Sequence, residues 1–272
     1  MSVGKLLRKA LPFANVVATG IATATIQAGR TLEGLYLILG GTTFAFSHIT
    51  LLRLKANGKT FFEASGTQVD KINKFQGLSY AATCLPVMFT EILGRDLVDQ
   101  MMGAFDTSNG IANITVEVTI TGATAPTLEA YLIESAPQNQ AVAPIMKKVL
   151  RYPWSVSAGG QLSIQLPFGP VNGAVIQRIH IEHGVASNVQ AVTIKENGVV
   201  VHESVKAVND AHNTNYRATN QTNWYSVDMV PDFNVKNAMD TRQDKSLELI
   251  PTFGAADSGY VVVEYLDTLG NL

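Results

Sequence analysis

The sequence is poor in charged residues and has a single cysteine. Asp, Glu, Lys and Arg make up 15% of the 272 residues, against roughly 25% in a typical soluble domain. This low fraction predicts that other protein chains cover much of the surface, or that part of the chain lies in a membrane. The formal net charge of −2 argues against nucleic acid as a specific partner. The lone Cys84 excludes an internal disulfide bond.

Two segments have part of the character of a membrane span or a secretion signal. Residues 34–52 contain no Asp, Glu, Lys or Arg, but the Gly-Gly-Thr-Thr sequence at 40–43 interrupts them with turn chemistry. Residues 1–24 place basic side chains before an apolar run, but Pro12 and Gly20 break that run. A strand, a turn and a second strand explain residues 34–52 better than a membrane helix does.

The chain contains an internal repeat. Residues 52–73 match residues 192–213 at a constant offset of 140 (195 − 55), with Lys, Asn-Gly, Glu, Asp and Asn in corresponding places. Five further short matches follow the same order with offsets of 132 to 141, as loops of unequal length would produce. We therefore predict a first copy at residues 1–134, a linker at 135–146 and a second copy at 147–272.

Each copy contains about seven short apolar runs that are rich in β-branched and aromatic residues. Several runs alternate apolar and polar residues, as 114–120 does, which is the pattern of a strand with one buried face. Asn57-Gly58 and Asn197-Gly198 each join two runs and predict type I′ hairpin turns. The pattern favours an all-β fold of seven or eight strands per copy, a sandwich or jelly roll. Short helices are expected only at 66–75, 95–104, 205–213 and 234–240.

No segment carries a specific catalytic motif. Gly58-Lys59-Thr60 resembles the end of a phosphate-binding loop, but Arg53 stands where that motif requires glycine. His180 and Glu182 would share one face of a strand, with His183 beside them, yet the segment lacks the His-x-His pair of a cupin-type metal site.

Four acidic residues of the second copy are close in sequence but do not have the spacing of a calcium loop. They are Asp228, Asp232, Asp240 and Asp244. We therefore predict no catalytic residue and no cofactor, and a protein that is not an enzyme.

A short basic segment precedes each copy. If the copies stand side by side, both segments approach the same end of the molecule, where they could face anionic phosphate groups of a lipid leaflet or of nucleic acid. The alternative is a pair of solvated chain segments. The six residues are Lys5, Arg8, Lys9, Lys147, Lys148 and Arg151.

Tandem copies of about 130 residues, a basic N-terminal segment and scarce charge resemble the double jelly-roll major capsid proteins of tailless icosahedral bacteriophages with an internal membrane. The likeness is nearest to the corticovirus type, and residues 87–120 are similar to that family's strand, short helix and strand. The resemblance implies an all-β double jelly roll: two tandem eight-stranded sandwiches with a few short helices. It also implies a structural protein that self-assembles as a homotrimer of pseudo-hexagonal outline.

The same resemblance implies the surroundings of the protein. Trimers would tile an icosahedral shell over an internal membrane and contact neighbouring capsomers, vertex (penton) proteins and minor capsid proteins, with no specific nucleic acid. The location would be the virion, assembled in the host cell cytoplasm. Some family members bind structural calcium, for which no ligands can be assigned here. Apolar residues within 34–52 are expected in the trimer interface.

Two other functions fit parts of the pattern. A carbohydrate-binding or receptor-binding β-sandwich protein usually exposes aromatic side chains, but Trp154 and Trp224 are the only tryptophans. Trp154 also matches Phe13 across the repeat, which favours a structural role. The second alternative is a metal-dependent jelly-roll enzyme, which bound iron, manganese or zinc in the purified protein would support.

Overall fold

A computed structural model describes residues 4–94, 97–108, 110–138, 145–268 and 271. The first copy contains the strands β1 (Leu6–Lys9), β2 (Gly20–Ile26), β3 (Thr31–Gly40), β4 (Ile49–Ala56), β5 (Lys59–Ala64), β6 (Cys84–Met88), β7 (Phe105–Asp106), β8 (Ile114–Ile120) and β9 (Thr127–Ser135). The second copy contains β10 (Ile145–Val156), β11 (Gly160–Gln161), β12 (Ile164–Gln165), β13 (Val175–Glu182), β14 (Val189–Glu196), β15 (Val199–Val205), β16 (Trp224–Asp228), β17 (Met239–Asp240), β18 (Leu247–Phe253) and β19 (Asp257–Thr268).

Helices are few and short, but one of them, Gly169–Asn172, lies outside the four predicted segments. They are α1 (Gly66–Phe75), α2 (Leu97–Met101), α3 (Gly169–Asn172) and α4 (Lys206–Asn215), with 3-10 turns at Phe46–His48 and Val235–Asn237. Helix α1 begins with a capping box, in which the Ser65 hydroxyl accepts from the Gln68 amide and the Gln68 side chain accepts from the Ser65 amide. The fold class expected from the sequence is confirmed.

Each copy is a sandwich of two antiparallel sheets. In the first copy, a sheet of order β1-β9-β3-β6, with β7 beside β3, faces the strands β5-β4-β8-β2. In the second copy, β10-β19-β13-β16, with β17 beside β13, faces β18-β14-β15, on whose outer side β11 and β12 pair with β18. The two copies therefore repeat one jelly-roll topology.

Apolar side chains fill the space between the sheets, because apolar and polar residues alternate along the strands. Strands β8 and β18 each bury every second side chain, including Val116 and Val118 in the first core and Leu247 and Leu249 in the second. Strands such as β8 and β18 bury only one face, so a period-two apolar run was sufficient to predict them, whereas β13 and β19 are buried on both faces for most of their length.

The hairpin turns have the predicted backbone. Asn57 and Gly58 have φ angles of 49° and 82°, and Asn197 and Gly198 have φ angles of 51° and 80°. Positive φ at both central residues is the requirement of a type I′ turn, which matches the twist of the flanking strands. These turns fix the register of β4 with β5 and of β14 with β15.

Four strands were not predicted: β1, β10 and the two-residue strands β7 and β17. The basic segments ahead of each copy form β1 and β10, and β10 continues for 12 residues. Strand β9 ends at Ser135 and β10 begins at Ile145, inside the predicted linker at 135–146, of which residues 139–144 lie outside the described residues. The division of the chain at this segment stays a proposal.

Residues 34–52 are part of the first sandwich. Leu35, Leu37 and Leu39 of β3 and Leu52 of β4 are buried in its core. The expectation of a trimer interface is therefore wrong for these four leucines, because the chain buries them itself; for Ile38, which is partly exposed, it stays a prediction. Among the described residues, no helix is both long and apolar enough to cross a membrane.

Candidate functional site

The first basic segment lies at the free edge of the first-copy sheet. Strand β1 carries Arg8 and Lys9, and Lys5 precedes it. Each cation is close to a carboxylate, and the hydrogen bond that Arg8 donates to Glu134 raises the pKa of Arg8. Exposed ion pairs of this kind contribute little to stability because water screens them, so they orient β1 more than they stabilise it. The pairs are Lys5–Glu33 at 2.8 Å, Arg8–Glu134 at 2.5 Å and Lys9–Glu129 at 2.7 Å.

The structure corrects the prediction for the second basic segment. Lys147 and Lys148 are only 3% and 8% exposed, because β10 is an inner strand between β19 and β5. The Lys148 ammonium group lies 3.0 Å from Asp267. Arg151 is mostly covered and pairs with Glu63 of β5 at 3.2 Å. Lys147 and Lys148 therefore cannot face a membrane.

Lys147 belongs to a buried group of charged side chains that joins the two copies. We call this group the junction cluster; its members are the buried residues Glu91, Lys147, Arg178 and Glu264, and Asp228, whose side chain is 7% exposed. Only Glu91, which follows β6, comes from the first copy.

Arg178 stands at the centre of the junction cluster. Its guanidinium donates to both carboxylate oxygens of Glu91, at 2.9 and 3.3 Å, and to Asp228 at 3.2 Å. The Lys147 ammonium group lies 2.5 Å from Glu264 and 3.2 Å from Glu91. The Glu91 carboxylate thus accepts from two cations of the second copy.

The electrostatics of the cluster follow from burial and pairing. Burial by itself would raise the pKa of Glu264, but Lys147 and Arg178 outweigh it and hold that pKa well below its usual value. Burial also opposes ionisation of Glu91, whose pKa is nonetheless lowered by Arg178 and Lys147. At Asp228 burial prevails, and the pKa is raised despite Arg178. Removing one member of such a group leaves an unpaired buried charge, which costs about 3–5 kcal/mol.

His180 links Glu264 to Ser226 in a buried chain of hydrogen bonds. Its Nε2 lies 2.8 Å from Glu264 and its Nδ1 lies 2.8 Å from the Ser226 hydroxyl. The order Ser-His-Glu is that of a hydrolase triad, but His180 is fully buried and Phe75 and Trp224 pack against its ring. A nucleophile needs a neighbouring space for its substrate, so this arrangement is structural.

Helix α1 of the first copy docks on the outer face of the second-copy sheet. Gln68 donates to Glu182 at 2.6 Å, and Gln76 lies 3.3 Å from Glu264. The Lys71 ammonium group lies 5.3 Å from the centre of the Trp224 ring, within the range of a cation–π interaction. Both polar and aromatic contacts therefore hold the two copies together along this helix.

The sheets of the two copies meet at one edge. Strand β10 pairs with β5 in a parallel bridge between Val149 and Phe62, which joins eight main strands and β17 into one nine-stranded sheet. The ion pair of Arg151 and Glu63 spans the same edge. Together with α1 and the junction cluster, this bridge gives the two lobes one defined arrangement within the chain.

The acidic residues considered for calcium are not brought together. Asp228 pairs with Arg178, Asp240 with Arg242, and Asp244 accepts from Asn197. In the part of the chain that the structure describes, no group of three or more His, Cys, Asp or Glu side chains is placed to hold a metal ion. Calcium binding stays a prediction without assigned ligands.

Both tryptophans are internal. Trp154 stacks on Phe253 with ring centres 4.3 Å apart, and Trp224 stacks on His180 at 5.2 Å. Neither forms the exposed aromatic platform that a carbohydrate-binding surface would use. The tryptophans therefore do not support a carbohydrate-binding or receptor-binding function.

Sequence reasoning missed the junction cluster because its members are far apart in the chain. A signal was present: Glu264 interrupts the apolar run 260–266, and Arg178 interrupts the run 174–181. A charged residue inside a run that is buried on both faces cannot reach solvent, so it needs a buried partner of opposite charge. The sequence does not show which charge pairs with which.

Comparison with protein families gives two matches that together span most of the chain. The model described as Viral coat protein P2 N-terminal domain matches residues 7–133, and the model described as Viral coat protein P2 C-terminal domain matches residues 146–269. No curated protein matches the chain.

Several solved structures have the same fold. The major capsid protein P2 from bacteriophage PM2 superposes with a TM-score of 0.85 at 22% identity, covering 97% of each chain. A chain of Sulfolobus turreted icosahedral virus gives 0.70 at 14% identity, covering 98% of this chain and 91% of that one. The Faustovirus major capsid protein gives 0.63 at 6% identity, covering 98% and 90%. At these identities the likeness concerns the double jelly-roll fold.

Proposed function

The chain belongs to the viral coat protein P2 family, and from this premise we propose that it is a major capsid protein that assembles as a homotrimer of pseudo-hexagonal outline. The membership confirms the resemblance to double jelly-roll capsid proteins expected from the sequence. A viral coat protein is a component of the virion capsid, where it self-assembles. Tiling of an icosahedral shell by these trimers is part of the proposal.

The observation that carries this proposal is the repeated topology together with the contacts that join the two lobes within the chain. Each chain supplies two similar lobes that the junction cluster, α1 and the β5–β10 bridge hold in one arrangement. Three chains would present six similar lobes, and a closed cyclic ring leaves no unsatisfied heterologous surface. Such a ring can contact six neighbours in a shell.

The proposed function is structural rather than enzymatic. The nearest approach to a catalytic arrangement among the described residues, Ser226, His180 and Glu264, is sealed inside the second copy. The carboxylate of Glu264 also forms ion pairs with Lys147 and Arg178. The remaining proposed partners are neighbouring capsomers, vertex and minor capsid proteins, with assembly in the host cytoplasm and no specific nucleic acid.

An internal membrane is a further part of the proposal. Only Lys5, Arg8 and Lys9 of the six basic residues remain at the surface in a position to contact lipid, and each is paired with a carboxylate. Changing all three to Glu should reduce binding to vesicles that contain anionic lipid, measured at a protein concentration where the variant keeps the solution mass of the unchanged protein, with neutral vesicles as the control. Unchanged binding to anionic vesicles would remove the membrane from the proposal.

The mass of the purified protein in solution tests the assembly. The chain mass is 29.2 kDa, so three chains give about 88 kDa, the value expected for a closed trimeric ring. Light scattering coupled to size-exclusion chromatography measures this mass directly. A mass of one chain at every protein concentration, or of two chains, would contradict the homotrimer.

A further inference from the structure

The two copies contact each other through one strand edge of each copy. The equivalent edges on the opposite sides of the two copies have no partner strand among the described residues. Within the copies, β10 corresponds to β1 and β5 corresponds to β15. Strand β10 covers the edge of β5. Among the described residues, β15 pairs only with β14 and β1 only with β9, so both counterpart edges are free. Free strand edges are sites where another chain can add.

The strand registers establish which residues are equivalent in the two copies. A bulge in β3 precedes Gly34 and a bulge in β13 precedes Arg178. Gly34 pairs with Ile133, which pairs with Leu7; Arg178 pairs with Glu264, which pairs with Val149. Leu7 is therefore equivalent to Val149, and two residues further Lys9 is equivalent to Arg151.

The offset of 140 gives the equivalents on the other strand. Phe62 corresponds to His202 and Glu63 to Glu203 (202 − 62 and 203 − 63). The bulged residues of these two strands, Phe61 and Val201, also correspond.

Residues that are covered inside the chain have exposed apolar equivalents. Val149 is 1% exposed, but Leu7 is 66% exposed. Phe61 is fully buried, but Val201 is 48% exposed. Exposed apolar side chains grouped on a free strand edge mark an interaction surface. Both halves of the missing contact are present on the chain, one on β1 and one on β15.

The charges at the two edges also correspond. Arg151 and Glu63 form an ion pair across the β10–β5 contact. Their equivalents are Lys9, a cation, and Glu203, an exposed anion with no ion pair among the described residues. Joining β1 to β15 in the same register would place these two opposite charges together.

The helix contacts show a matched exchange of polar for apolar residues. Inside the chain, α1 places Gln68 on Glu182 and Gln76 on Glu264. The equivalents on α4 are Val208 and Tyr216, which are 61% and 45% exposed. The equivalents on the outer face of the first-copy sheet are Ile38 and Ile133, both partly exposed. The polar pairs of the contact within the chain thus correspond to apolar pairs in the second contact, where the helix residue and the sheet residue are both apolar.

Of the junction cluster, only Lys147 has a charged equivalent at this second contact: Lys5, which already pairs with Glu33 of its own chain. Glu264 and Arg178 correspond to Ile133 and Gly34, while Asp228 corresponds to Met88 through the paired strands β16 and β6. An interface of this composition can form between separate chains without burying unpaired charges.

We propose that β15 and α4 of one chain cover β1 and the outer face of the first-copy sheet of a neighbouring, identical chain. Leu7 bridges to His202 in a parallel pair, Lys9 pairs with Glu203, and Val208 and Tyr216 cover Ile38 and Ile133. The contact is head to tail, so it closes into a ring or continues as a filament. This inference rests on the proposed trimer, in which contacts within and between chains would alternate around six lobes.

A disulfide tests the strand register. In a Cys84→Ser background, Leu7→Cys and His202→Cys would place two cysteines on bridged residues of adjacent strands, within reach of a disulfide. Oxidation should give covalent dimers and trimers on a denaturing gel, with a ladder that stops at three chains. The matched control combines His202→Cys with Val171→Cys, which is exposed on α3 but lies outside the proposed surfaces, and should give no ladder.

The outcomes separate this inference from the trimer itself. A protein of about 88 kDa, three times 29.2 kDa, that yields no cross-link between Leu7→Cys and His202→Cys would refute the register and leave the trimer standing. A ladder that continues past three chains would refute the ring. A protein that stays a single chain would refute both.

Charge exchange gives an independent test. Lys9→Glu should place two carboxylates together and weaken association roughly tenfold, equivalent to about 1.4 kcal/mol. Adding Glu203→Lys should restore it. Loss of the Lys9–Glu129 pair alone cannot produce that rescue, so a double variant as weak as the single one contradicts the pairing. Sedimentation over a range of concentrations measures the dissociation constant.

Discussion

Removing the central cation of the junction cluster should destabilise the protein strongly. Arg178→Met keeps much of the side-chain volume but leaves Glu91, Asp228 and Glu264 with one cation, Lys147, among them. An unpaired buried charge costs about 3–5 kcal/mol. At roughly 2–4 °C per kcal/mol for a chain of this size, the melting temperature should fall by about 10 °C.

The loss should depend on pH in a specific direction. In the native protein, the pKa of Glu264 lies well below the unfolded value, about 4.3 for Glu. Its ionisation therefore stabilises the fold above that value, and the stabilisation is lost as the pH falls through the native pKa. In Arg178→Met, burial should instead raise the carboxylate pKa values above the unfolded value. The variant should then regain stability on acidification from pH 8 toward pH 5.

Thermal unfolding followed by circular dichroism at several pH values measures both effects, at one fixed protein concentration because association shifts the midpoint. Arg242→Met is the matched control, since Arg242 forms an ion pair with Asp240 in which both side chains are about half exposed, and such pairs contribute about 0–1 kcal/mol. A deficit in Arg178→Met that is equal at pH 5 and pH 8, or no larger than that of the control, would refute the electrostatic account of the junction.

Three further outcomes are expected. Leu37→Ala should lower the free energy of unfolding by about 2–5 kcal/mol, because it opens a cavity in the first core; a urea titration showing less than 1 kcal/mol would contradict this. Gly58→Ala should cost about 1–2 kcal/mol, because φ at this turn is 82°, and the same titration should detect it. Burial raises the pKa of the Cys84 thiol, so iodoacetamide at pH 8 should alkylate native protein more slowly than unfolded protein. Equal rates would show that the fold does not protect the thiol.

Local pattern was sufficient to predict most of the fold. The runs at 114–120 and 247–253 form β8 and β18, and helix α1 occupies the predicted residues 66–75. The Asn-Gly pairs form the predicted turns. In each case the determinant lies within a few residues of the element it specifies, because side-chain period and turn backbone are local properties.

The candidate site was predicted less well. Lys147 and Lys148 form a basic segment in the sequence, and short basic segments are usually solvated. In the structure both are buried, because β10 is covered on both edges and Glu264, Glu91 and Asp267 supply the counter-charges. Residues 56 to 119 positions away decide this, and no local pattern carries that information.

The amino-acid sequence alone determined that the chain repeats one β-sandwich unit, with its strands, hairpins and first helix, because these features depend on spacing between near neighbours. Tertiary structure decided how the two units are joined, which charges are buried at Arg178, and which strand edges remain free. Those properties depend on contacts between residues that are distant in the chain. Burial changes the energy of a charged side chain far more than a change of residue type between Lys and Arg or between Asp and Glu does.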